Sequence, residues 1–343
     1  MNFSKTAVLC DSGCDVPRQL REQYDIRVVD LIVNYSDRSY RDTELEELDP
    51  LYVYRHFHDE IPTTSALNTQ EVLDVIAQAV ADGYENVIGI GISSAMSGTF
   101  NCIRLALEEA ADEYDGMKVF AFDTRNISIG SGFFAIWAAD RLAAGGSFEE
   151  VSGSLEKKRD DVHLAFYMDT LEYLRKGGRI TPAVAIMGKI LNIKPIISVN
   201  RSGVYYTVGK IRGSARAVRT LVDHILSFHP DPEKTWFALE NGDGPEFAAQ
   251  AKAMILERLP GAKFLIEKQI VPTMAIHTGP GLLGIATLCL DSAGGAPRSA
   301  SPVSPLEEIH EKISGTVSSL EKTFEEQKNR LEEKLEEKIH RGR

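Results

Sequence analysis

Residues 86–113, NVIGIGISSAMSGTFNCIRLALEEAADE, decide the fold class of this chain. Asn86 to Ile92 is an apolar run of strand length, Ser93 to Gly98 supplies hydroxyls and a glycine, and apolar residues then recur at helical spacing from Gly98 to Glu113. A strand that feeds a helix through such a loop is the repeating unit of α/β folds, in which ligands sit beyond the carboxyl ends of the strands. The same alternation continues on both sides. Thr6 to Cys10, Ile26 to Val33 and Met117 to Phe122 read as strands, Thr69 to Asp82 and Gly130 to Ala144 as helices. The loops Asp11 to Asp15 and Asp123 to Ser128 also fall directly after strands. A mainly parallel sheet covered by helices is expected.

From about Val151 the pattern changes. Val162 to Met168, Ile193 to Val199, Val204 to Gly209, Thr235 to Leu239, Lys263 to Ile270 and Gly284 to Leu290 are expected strands, with a hairpin turn at Asn200 to Gly203. Helical patterns at Ser214 to Phe228 and Pro245 to Arg258 separate some of them. The fold class is therefore α/β with two expected domains, 1–150 around the parallel sheet and 151–290 around a mixed sheet, divided near Gly145 to Ser154. A Gly, Ser, Pro and Ala linker is expected over 291–305, followed by a charged helix over 306–343. Leu306, Ile313, Val317, Leu320, Phe324 and Leu331 fit one heptad seam, interrupted by His310 and Gln327. That segment reads as a dimerising coiled coil, a solvated helix or a helix on a membrane surface.

Composition bounds the function. The 343 residues, 43% of them hydrophobic, suffice for two packed cores. A formal net charge of -12 gives no general support for neutralising phosphate backbones, so nucleic acid is not an expected partner and an anionic ligand needs a local site. No run approaches the roughly 20 apolar residues of a membrane span, and the short apolar run Thr6 to Cys10 does not read as a secretory signal. A cytoplasmic location is expected. Of the four cysteines, Cys10 and Cys14 lie close in sequence, but no second pair or nearby histidine completes a metal set. Neither a metal nor a cofactor is expected.

Three segments carry chemistry. In PTTS, Thr63, Thr64 and Ser65 stand before the helical pattern near Thr69, where hydroxyls and free amides can seat an anion or simply cap a helix. In GISSAMSGT, Ser93 and Ser94 can donate to an oxygen anion. The hydrolase elbow lacks its final glycine, Ala95 standing there instead, and no lysine completes a phosphate loop. In HTGPG, His277 follows the apolar run Thr273 to Ile276 and reads as a strand-end histidine, either structural or able to donate to a carboxylate. Arg175, Lys176 and Arg179 in LEYLRKGGRI are the nearest cations, which can equally offset a helix dipole. Apolar stretches at Ile127 to Ala144 and Pro182 to Leu191 read as core that could also house an apolar ligand.

In order, DSGCD, PTTS, SSAMSGT, FDTRNISIGSG, LEYLRKGGRI, LNIKPIISV, KIRG and HTGPG resemble the DegV family of bacterial fatty-acid-binding proteins, from roughly Lys5 to Leu290. The resemblance implies a two-domain DegV-like fold enclosing one long-chain fatty acid between its domains. It implies a carrier with no catalytic residues of its own, similar to the binding subunit of bacterial fatty acid kinase, which presents the carboxylate to a separate ATP-dependent kinase subunit for acyl-phosphate formation and phospholipid metabolism. It places Thr63, Ser94 and His277 at the carboxylate with Thr64, Ser65 and Ser93 beside them, Arg179 as the cation near the head group, and Arg212 of KIRG at the docking face for the kinase. Two departures stand out. Ala66, Leu67 and Asn68 follow PTTS where the family usually has glutamine and proline, and the charged tail, expected to favour a homo-oligomer, has no counterpart in the family pattern. The rival enzyme reading is a serine esterase or acyl transferase using Ser93 or Ser94 with His277.

Overall fold

Apolar strands that are covered on both faces account for most of the long hydrophobic runs in this chain. The computed structural model describes residues 5–180 and 193–291; the apolar segment Pro182 to Leu191, nearly all of the expected linker, and the charged segment 306–343 lie outside these residues. In chain order the strands are β1 (Thr6–Asp11), β2 (Ile26–Val29), β3 (Ile32–Asn34), β4 (Ser39–Arg41), β5 (Thr63–Ser65), β6 (Asn86–Gly91) and β7 (Lys118–Asp123). They are followed by β8 (Val162–Tyr167), β9 (Ile193–Val199), β10 (Tyr205–Arg212), β11 (Thr235–Gly242), β12 (Lys263–Gln269) and β13 (Leu282–Cys289).

The first sheet has the order β2-β1-β6-β7 and is parallel throughout. The large sheet runs β10-β9-β8-β13-β11-β12; only β11 and β12 pair in parallel, so it is mixed. These two sheets bear out the α/β class. A third, small antiparallel sheet, β4-β3-β5, was not expected.

Helix Ser128–Ala143 lies between the two large sheets, touching β1 and β6 on one side and β8 and β13 on the other. Phe133, Phe134, Ile136 and Trp137 are all buried there, which explains a helix apolar on more than one face. The strands of the mixed sheet alternate accordingly. Leu164, Phe166, Ala286 and Leu288 join the core around this helix, whereas Ala165, Tyr167, Leu283 and Ile285 face helices Ser214–Leu226 and Pro245–Arg258 on the other side. Helices Thr69–Ala81 and Thr99–Glu113 pack on each other beside the parallel sheet. Gly89 lets Ile103 and Leu107 approach its strand closely.

Two local expectations are corrected. Ile26 to Val33 is not one strand. The ladder breaks at Asp30 and Leu31, where the Leu31 amide donates to Ser12 Oγ and its carbonyl accepts from the Asp42 amide, and the chain then enters the small sheet. PTTS is not a helix cap but strand β5, with Thr64 opposite Val33. The cap of the following helix is Asn68, whose side chain accepts from the Glu71 amide while Glu71 reaches back to the Asn68 amide. Helices Arg18–Tyr24, Asp42–Leu48, Tyr52–His56 and Phe148–Lys158 were not anticipated.

A side chain at position 132 has no room. A Cβ there would overlap the Cys14 carbonyl oxygen and crowd Ile129 and Val16. Gly132→Ala is expected to lower the free energy of unfolding by about 1–3 kcal/mol in a denaturant titration; an unchanged midpoint and slope would show that the helix does not sit this close to the first loop.

Candidate functional site

The segment VPTMAIHTGPG reads differently once its ends are recognised. Pro272 opens a helix, Pro272–Thr278, and Gly279 follows it with φ of 72°. His277 is therefore on the last turn of a short helix, not at a strand end. Its ring faces β5, and Thr64 Oγ1 lies 2.9 Å from His277 Nε2. The small sheet and this helix thus hold the hydroxyl and the imidazole in one place, although 213 positions separate them in sequence.

Around this pair is a cleft with roughly 530 Å³ of empty space, its open mouth included. The polar part of its lining is Thr64, Ser65, Ser97, Arg179, Thr273, His277 and Thr278; the apolar part is Leu31, Ala66, Ile92, Met96, Ile127, Tyr205 and Met274. Four of the sequence-predicted site residues, Thr64, Ser65, Arg179 and His277, are brought together here. Thr63 is exposed on β5 and is not part of the lining. Ser93 is fully buried, and its hydroxyl donates to the Gly203 carbonyl at 2.8 Å. Gly203 has φ of 77°, and a Cβ there would overlap Ser93 Oγ, so this turn requires glycine on both counts. Ser94 is exposed, and its hydroxyl donates to Asp123 Oδ2 at 2.6 Å. Neither serine is bonded to His277. Arg212 is exposed at the end of the edge strand β10.

Several lining residues were not singled out from sequence. Thr273, Met274 and Thr278 share the helix with His277, and the Pro272 and Gly279 pair was the available signal. Leu31 and Tyr205 carry no local signature.

Electrostatics sharpen the roles. Burial, assisted by the positive charge of Arg179, lowers the His277 pKa to about 4. The ring is neutral at neutral pH. Among the described residues His277 Nδ1 is buried without a hydrogen-bond partner, and a Cβ on Gly177 would overlap it. A buried N–H left unpaired is rarer than an unpaired acceptor, so Nδ1 is assigned as the bare nitrogen and Nε2 as the proton carrier. Nε2–H then donates to Thr64 Oγ1. The Thr64 hydroxyl keeps its own proton to donate into the cleft, where an oxygen acceptor would complete the chain. Arg179, whose Nη1 donates to the Gly177 carbonyl at 2.7 Å, supplies positive charge on the same wall.

Fold and cleft together define an α/β protein with a cleft, among its described residues, lined by both polar donors and apolar side chains. The sequence profile described as "Uncharacterised protein, DegV family" matches residues 5–289, and the chain belongs to the DegV family. A DegV domain-containing protein of Clostridium perfringens is 36% identical, the match covering 83% of this chain and 98% of the relative. One from Clostridium acetobutylicum is 33% identical over 82% of this chain and 98% of its own length. Among solved structures, a DegV family protein from Thermus thermophilus described for its fatty acid binding superposes with a TM-score of 0.74 at 29% identity, covering 83% of this chain and 99% of that one. DegV of Bacillus subtilis, described as a fatty acid binding protein, gives 0.72 at 28% identity over 83% and 99% of the two chains. These structures bear out both the family and the fold.

The depressed His277 pKa sets a sign. The folded value of about 4 lies below the ordinary 6.5, so unfolding takes up a proton between them, and this contribution to stability is complete above pH 6.5 and lost as pH falls towards 4. An NMR titration of the ring nitrogens should show His277 neutral down to about pH 5; a titration step between pH 6 and 7 would contradict the buried neutral ring.

Proposed function

We propose that this chain binds a long-chain fatty acid in the cleft, its carboxylate at the Thr64, Ser65, Arg179 and His277 end, and presents that carboxylate to a separate ATP-dependent kinase subunit. One observation carries the reading: a hydroxyl polarised by a neutral imidazole shares a cleft with an arginine, and half of that cleft's lining, Leu31, Ala66, Ile92, Met96, Ile127, Tyr205 and Met274, is apolar. The division of labour follows from magnitudes. Each buried methylene contributes about 0.8 kcal/mol, so the tail supplies most of the affinity. Hydrogen bonds to a charged group, about 1.5–3 kcal/mol each, fix which end lies at Thr64. The fatty acid binding described for the Thermus thermophilus and Bacillus subtilis proteins supports the same ligand class.

In the kinase reaction a carboxylate oxygen attacks the γ-phosphorus of ATP, and ADP leaves as the acyl phosphate forms. The carrier needs to hold the carboxylate and leave one oxygen accessible. Arg212, with Lys210, Arg216 and Arg219, is exposed and has no ionic partner among the described residues. The exposed Arg212 at the end of edge strand β10 is the proposed contact for an acidic face of the kinase.

The esterase reading is disfavoured by geometry and charge. A general base works best with a pKa near the working pH and a group that orients its second nitrogen. His277 is held near pH 4, its Nδ1 has no carboxylate partner among the described residues, and both serine hydroxyls are committed elsewhere.

Native mass spectrometry of the protein purified from bacteria should show one fatty acid per chain. After delipidation oleate should rebind, and Thr64→Val should weaken it by about tenfold, the scale of one charge-assisted hydrogen bond. A ligand-free protein that takes up neither oleate nor palmitate would refute the proposal.

A further inference from the structure

The helix that carries His277 does not hold itself in place. It has seven residues, a length that is not stable alone, and its N-cap is Val271, which has no side-chain acceptor. The acceptors come from elsewhere in the chain. Asp42, the first residue of helix Asp42–Leu48, is fully buried. Its Oδ1 accepts from the Thr273 amide at 2.9 Å, and its Oδ2 accepts from Thr273 Oγ1 at 2.5 Å and from Ser12 Oγ at 2.8 Å. The neighbouring Asp15 Oδ2 lies 3.3 Å from the Val271 amide, which donates to it.

Asp42 is also tied to Leu31, a second lining residue from a different part of the chain. Its own amide donates to the Leu31 carbonyl at 3.0 Å, while Ser12 Oγ accepts from the Leu31 amide at 3.0 Å. Leu31 and Thr273 both line the cleft. One buried residue, itself outside the lining, therefore joins two lining segments, to Thr273 directly and to Leu31 through its own amide and Ser12.

We propose that Asp42 is a positioning residue of the cleft: it acts as a borrowed cap for helix Pro272–Thr278 and so sets where His277 meets Thr64. An acceptor contributed by another part of the chain does for this helix what a serine or aspartate at position 271 would do locally, and ties the helix to the first loop at the same time. Burial raises the Asp42 carboxyl to about 7, against the donors from Thr273 and Ser12 and with Asp15 adding to the rise. That cost is tolerated because Asp42 has a donor on each oxygen. Removing the side chain leaves the Thr273 amide and hydroxyl and the Ser12 hydroxyl without their acceptor in a dry site, the costly side of hydrogen bonding.

The expected effect on ligand affinity rests on the fatty-acid reading of the cleft, whereas the effect on His277 does not. The experiment uses the full chain. His277 ring nitrogens are observed by two-bond 1H–15N NMR without ligand, oleate affinity is measured separately, and Asp42→Ala is compared with Leu45→Ala. Leu45 is buried on the same helix and its side chain takes no part in the hydrogen-bonded node, so its truncation loosens packing without removing an acceptor from Thr273. Asp42→Ala should displace the His277 Nε2 resonance and weaken oleate by about tenfold, while Leu45→Ala should lower the melting temperature with the resonance in place and affinity within about threefold. Asp42→Asn, which keeps an acceptor for the Thr273 amide but sets an NH2 against the hydroxyls, should fall between. If Asp42→Ala does not fold, Asp42→Asn is read against Leu45→Ala. An unmoved His277 resonance in the Asp42 variants, or the same displacement in Leu45→Ala, would overturn the proposal. A wild-type protein that binds no oleate would refute the ligand reading and leave the NMR comparison standing.

Discussion

The hydrogen bond between Thr64 and His277 is the constraint on which the site depends. It joins a three-residue strand to a seven-residue helix, neither of which is stable by itself. Each is held by neighbours: the strand by β3, the helix by Asp42, Asp15 and the aromatic ring of Tyr173 packed against Gly279. Burial keeps the imidazole neutral, and neutrality determines what it does. A charged imidazolium would draw an anion directly, whereas this ring turns the Thr64 hydroxyl towards the cleft as a donor and leaves Arg179 as the positive charge.

Buried polar groups elsewhere in the same layer follow the same logic. Lys268 Nζ is within 2.7 Å of Asp15 Oδ1 and 2.6 Å of Glu46 Oε1, and these carboxylates raise its pKa against the effect of burial. Ser128 Oγ lies 2.9 Å from Asp15 Oδ2 and 2.9 Å from Glu240 Oε2. One hydroxyl proton cannot serve two carboxylates, so one of them carries a proton. Burial and the neighbouring Asp15 raise Glu240 well above the ordinary range, which makes Glu240 the protonated partner. These contacts link the first loop, the central helix and the mixed sheet by hydrogen bonds that tolerate little displacement, as the close-packed Gly132 does on the apolar side.

Much of the scaffold was legible in the sequence because both large sheets are covered on two faces. Strands such as β9 and helix Pro245–Arg258 therefore announce themselves as uninterrupted or periodic apolar runs. The site was legible as residue types but not as geometry. PTTS looked like a helix cap because a three-residue strand has no period to read, and its partner strand β3 lies far upstream, directly after the ladder break at Leu31. His277 looked like a strand end because Thr273 to Ile276 is apolar, although Pro272 and Gly279 marked a helix. Asp42 gave no signal at all, since its partners Ser12 and Thr273 are distant in sequence and a buried carboxylate cannot be told from an exposed one by its letters. The family resemblance supplied the order of motifs, and the structure shows which of their side chains share one cleft.

The central claim is that the Thr64 and His277 pair receives the head group of a fatty acid. A crystal structure of the delipidated protein soaked with oleate tests it most directly. A carboxylate oxygen is expected within about 3.2 Å of Thr64 Oγ1, with the tail running along the apolar lining. An oleate bound outside the cleft, or one whose methyl end lies at Thr64 and His277, would contradict it.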